Sequence, residues 1–86
     1  MTCEARVQFV ADAIMRYLHA HVESADTVEG IHEWWIEWPG IPESVFVTYT
    51  ALVELENSGA IERRMVSNRE IWRLARSQAN NAATAC

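Results

Sequence analysis

His32 and Glu33 begin as the zinc-protease helix H-E-x-x-H begins, in which two histidines four apart hold a metal and the glutamate acts as base. The second histidine is missing, because Ile36 stands in its position. His19 and His21 are two apart, about 200° around a helix, and cannot chelate one metal from the same face. Each reads as a surface histidine. Cys3 and Cys86 lie at opposite ends of the chain with no histidine near either in sequence. They suit unpaired thiols in a reducing compartment better than a nucleophile or a disulfide framework. No glycine-rich phosphate loop is present. The expectation is a protein that is not an enzyme, with no catalytic residue, metal ligand or cofactor.

Two other concentrations of residues suit binding rather than reaction. Trp34, Trp35, Ile36 and Trp38 crowd one short stretch. Val28, Ile31 and Trp35 share one side of a helix, Trp34 sits about 100° away, and Trp38 follows the helix end. At least one indole is therefore expected at the surface. Exposed tryptophan beside Ile41, Pro42 and Phe46 has the chemistry of a protein contact or homodimer patch. This reading is applied to Trp34 and Trp38, whereas Trp35 and Trp72 are expected to fill the core with their N–H groups bonded to backbone.

The second concentration is Arg63, Arg64, Arg69, Arg73 and Arg76. Five arginines on a hairpin can make several phosphate contacts, and dimerisation would double them. The competing reading is a solvated hairpin partly neutralised by Glu62 and Glu70, with Arg63 stacked on Trp72. Residues 1–60 hold two arginines against ten carboxylates, whereas residues 61–86 hold five arginines against two. The arginine segment is thus one basic patch on a chain of net charge −5.

The elements that must position these groups are legible in the spacing. Val7, Val10, Ile14, Tyr17, Leu18 and Val22 mark one stripe of a helix over residues 4–22. Asp26-x-x-Glu29 resembles a capping box opening a second helix over about 27–36. Trp38-Pro39-Gly40-Ile41-Pro42 stops it. A third helix over about 43–57 is expected to bury Val45, Tyr49, Leu52 and Leu55 and to end at a left-handed Gly59. Two alternating strands then turn at Ser67-Asn68, pairing Ile61 with Leu74, Arg63 with Trp72 and Met65 with Glu70. In that register Ile61, Met65, Trp72 and Leu74 cover the helices.

The expected class is mainly α with a small β-hairpin, an α+β domain over residues 1–76 with a disordered tail over 77–86. Eighty-six residues make one small domain, and the 50% apolar fraction is ample for a core. No run approaches the ~18 apolar residues of a membrane span, and the N-terminus lacks a secretory pattern, so a cytoplasmic, membrane-free protein is expected.

Three helices followed by a hairpin, joined by Leu55, Gly59, Ile61 and Arg63 and continued by Arg69, Trp72 and Leu74, resemble winged helix-turn-helix domains. The match covers about residues 5–75. Residues 25–35 also resemble a stretch of small uncharacterised bacterial winged-helix proteins, which brings no activity with it. Winged helices serve both DNA binding and protein contact. In a DNA reader the third helix enters the major groove. Away from its expected core stripe that helix offers Glu43, Ser44, Val47, Thr48, Thr50, Ala51, Glu54 and Asn57, with no basic residue, and Glu56 adds a carboxylate. The expectation is therefore a module for protein–protein interaction or homodimerisation through Trp34, Trp38, Ile41 and Phe46. The alternative is a DNA-binding transcriptional regulator held mainly by the arginine wing.

Overall fold

In the computed structural model, which describes residues 4–75, the first helix, α1, spans Ala5–Ala20. Arg76, the 77–86 tail, Cys3 and Cys86 lie outside the described residues. Val7, Val10, Ile14 and Leu18 are buried along one side of α1, joined by Ala11 and Ala13. Val22, expected to complete the stripe, is 57% exposed. The helix has already ended: His21 donates its N–H to the Tyr17 carbonyl and turns out of helical geometry with φ −136°.

The sheet has three antiparallel strands rather than the expected two. β1, Ala25–Asp26, pairs with β3, Arg69–Leu74, which also pairs with β2, Ile61–Val66, giving the order β1-β3-β2. Two residues are too few to show alternation in sequence, and Ala25 opposite Arg73 and Asp26 opposite Trp72 fasten the hairpin to the chain before the second helix.

That helix begins as α2, Val28–Gly30, and continues as a π-helical turn over Ile31–Trp35. Its cap is Thr27, not Asp26: the Gly30 N–H donates to Thr27 Oγ1 at 3.2 Å. Asp26 stands one residue outside and accepts the Thr27 N–H at 2.7 Å. The expected capping box is therefore replaced by a threonine cap with an aspartate behind it. A β-carbon at Gly30 would collide with the Asp26 carboxylate, so glycine permits this close approach. The wider i→i+5 turn precedes an extended Ile36, and Ile31, Trp35 and Ile36 are all buried.

α3 covers Val45–Asn57 and buries Leu52 and Leu55 as expected, but the rest of its inward side differs from the expectation. Val47, Thr48, Ala51, Leu52 and Leu55 are buried, whereas Val45 is exposed and Tyr49 half-buried. Apolar residues occur nearly all round this helix, so spacing alone admitted two faces. Thr48 occupies the core with its hydroxyl 2.7 Å from His32 Nδ1, a partner that removes most of the penalty of burying it.

Gly59 ends α3 with φ +87°. The Ala60 N–H reaches the Leu55 carbonyl and the Gly59 N–H the Glu56 carbonyl, both at 3.0 Å, which satisfies two of the last orphan acceptors. The hairpin follows in the expected register, Ile61 opposite Leu74, Arg63 opposite Trp72 and Met65 opposite Glu70. Ser67 and Asn68 both take positive φ, 52° and 67°, as a two-residue type I′ turn demands. Met65, expected to cover the helices, is 64% exposed because it stands one rung from the hairpin tip, past the part that packs. The core joins Ile14, Leu18, Ile31, Leu52, Leu55, Ile61 and Trp72 into one cluster. Among the described residues no helix is long and apolar enough to cross a membrane.

Candidate functional site

Besides its core stripe, α1 carries a second row at helical spacing, Ala5, Phe9, Ala13, Tyr17 and Ala20, which meets the segment leaving the second helix. Near its start Phe9 meets Trp38 with ring centroids 6.1 Å apart. Near its end Tyr17 stacks on Trp35 at 4.6 Å with the planes only 12° apart. An aromatic seam thus joins two regions distant in sequence.

Trp38 is half-buried and held from behind. Its indole N–H donates to the His32 carbonyl at 2.9 Å, and the His32 ring lies 4.9 Å from it while bonding Thr48 of α3. Such fixing lowers the entropy lost when a partner covers the ring. Beside it, Phe9, Pro39 and Ile41 complete a shallow, predominantly apolar groove, with Ile41 93% exposed. The rim is charged: Arg6 bridges Glu4 at 2.9 Å and Glu43 at 3.3 Å.

A second groove opens at the other end of the same α1 face. Trp34, 76% exposed, borders it with Arg16, Tyr17 and Glu37. The structure therefore brings Trp38 and Ile41 together and sets Trp34 apart in a neighbouring groove. Phe46, 71% exposed, sits on the first turn of α3 and borders neither. Sequence reasoning missed Phe9, Arg16 and Glu37, although the second i, i+4, i+8 row of α1 was present to be read.

The arginine hairpin is largely occupied with itself. Arg63 forks onto Glu56 at 2.7 and 3.2 Å, reaches Glu70 at 3.1 Å and the Tyr49 hydroxyl at 3.4 Å, and lies 4.6 Å above the Trp72 ring. Hydrogen bonding to Glu56, and next to Tyr49, raises its pKa above the ordinary arginine value. Arg73 and Arg64 share Glu62 at 3.3 and 3.8 Å. Arg69 forms no ion pair among the described residues. Glu43, just before α3, and Glu56, on it, are likewise engaged by Arg6 and Arg63. The exposed residues of α3 are Val45, Phe46 and Asn57, none of them charged.

Among the described residues no group of three or more His, Cys, Asp or Glu could hold a metal ion. No protein-family model matches the chain, and neither a curated protein nor a solved structure matches it.

Proposed function

We propose that this chain is a winged helix-turn-helix domain serving, without catalysis, as a cytoplasmic protein-interaction or dimerising module. Three helices followed by a tight hairpin support the fold assignment. The observation that carries the function is the aromatic α1 face, where a pre-positioned Trp38 adjoins Phe9 and the 93%-exposed Ile41. Anchors of this type dominate interface energetics. Ile41→Asp and Trp34→Ala change exposed side chains and are expected to leave the fold intact by circular dichroism. Each is expected to weaken association by about 1–2 kcal/mol or more, roughly 5- to 30-fold. Self-association is read by sedimentation and a second protein by affinity capture. Folded variants that associate as tightly as the parent protein would sink the reading, as would a parent that binds neither a second copy nor another protein.

The second reading, a DNA-binding regulator gripping through Arg64, Arg69 and Arg73, draws on Arg69, which no carboxylate neutralises among the described residues. It requires duplex binding that falls steeply with salt and a slope reduced by about 1 in Arg69→Ala. Absence of binding to mixed duplexes at low salt removes it.

A further inference from the structure

We infer that the occupant of the Trp34 groove is a second copy of this chain, docked about a two-fold axis. The inference rests on the interaction reading above and names its partner. The groove is bordered by one charge of each sign, Arg16 from α1 and Glu37 from the exit segment, and neither forms an ion pair among the described residues. A two-fold interface brings a patch against itself, so a residue i of one copy meets j of the other and the reverse contact follows. A patch with a lone cation and a lone anion is complementary to its own copy. Arg16 then faces Glu37 of the partner subunit twice, and the arginine fork suits a carboxylate bidentately.

Shape agrees with charge. Trp34, 76% exposed, borders the groove together with half-buried Tyr17, which stacks on the buried Trp35. The patch therefore carries an exposed indole and, in Tyr17, part of an aromatic ring for the partner's indole to cover.

Charge reversal tests the pairing, because both groups are exposed and their exchange leaves the core untouched. Sedimentation equilibrium of the full chain is expected to show a dimer. Arg16→Glu alone and Glu37→Arg alone each place like charges together at two symmetric positions, raising the dimer dissociation constant on the order of 100-fold. The double reversal is expected to restore it to within about tenfold of the parent value. Circular dichroism checks that each variant is folded. Failure of the double variant to recover overturns the pairing, and a dimer indifferent to both single reversals overturns the face. A protein that stays monomeric to about 1 mM overturns the second copy as occupant. If such a monomer captures a different protein and loses it on Trp34→Ala, this inference fails while the interaction reading stands.

Discussion

Trp72→Ala is expected to remove about 3–5 kcal/mol of folding stability, the largest loss available from one side chain in this domain. Trp72 is fully buried on the central strand, opposite Asp26 on one side and Arg63 on the other. Its ring receives the edge of Tyr49 at 6.0 Å and an interplanar angle of 85°, beneath the Arg63 guanidinium. Truncation thus withdraws packing from both edge strands and from α3 together. Against a total of about 5–15 kcal/mol, the variant stands near the limit of folding. A fall in melting temperature of at least about 12 °C, followed by far-ultraviolet circular dichroism, is the expected reading.

Trp72→Phe separates packing from polarity. The Trp72 indole N–H is buried with no hydrogen-bond partner among the described residues, contrary to the backbone bond expected for it. An orphaned donor costs about 1–3 kcal/mol, which phenylalanine avoids while retaining an aromatic ring for Arg63. The loss should therefore be below roughly half that of Trp72→Ala. Equal losses in the two variants would show that the N–H is an asset and that this account of the site is wrong.

The hairpin around Trp72 was legible because two signals agreed. Alternation set the faces, and a two-residue turn followed by its rungs admitted only one register without moving Trp72 off the core. The Arg63–Trp72 contact followed from that register. Elsewhere local signals were degenerate. Asp26 and Thr27 are both good caps one residue apart, and only tertiary pairing of Asp26 with Trp72 decides that Thr27 takes the helix. α3 is apolar on most sides: Leu52 and Leu55 were legible as buried, but Val47, Thr48 and Ala51 complete the inward face in place of Val45 and Tyr49, with Thr48 bonded to a histidine sixteen residues away. The site was legible as a composition, a crowd of tryptophans, and not as a place. Its geometry depends on Phe9 meeting Trp38 and Tyr17 meeting Trp35, contacts between α1 and a segment no periodicity connects to it. The arginines were the converse case: conspicuous in sequence as a patch, they are partly spent on carboxylates of α3 and the hairpin itself.

Arg63→Ala is the second large effect, an expected loss of about 2 kcal/mol. The side chain is only 27% exposed, and Glu56 only 29%, so their pair keeps more of its energy than a fully solvated one. Removing it strips two carboxylates of their shared cation and uncovers the Trp72 ring. Arg63→Lys is expected to recover less than about half the loss, since a point charge cannot fork onto Glu56, reach Glu70 and lie flat over the indole together. The pH dependence has a definite sign. A folded-state pKa above the unfolded one gives stabilisation that is fully present below the unfolded value and disappears only as pH rises through the folded one. Arg63→Ala should therefore cost the same amount at about pH 6 and pH 9, measured by urea unfolding. Complete rescue by lysine, or no loss in alanine, would return Arg63 to the class of solvated surface arginines. With the predicted loss, any effect of Arg63→Ala on nucleic-acid binding has to be separated from a loosened hairpin. Arg69, which forms no ion pair among the described residues, then becomes the sharper probe of that reading.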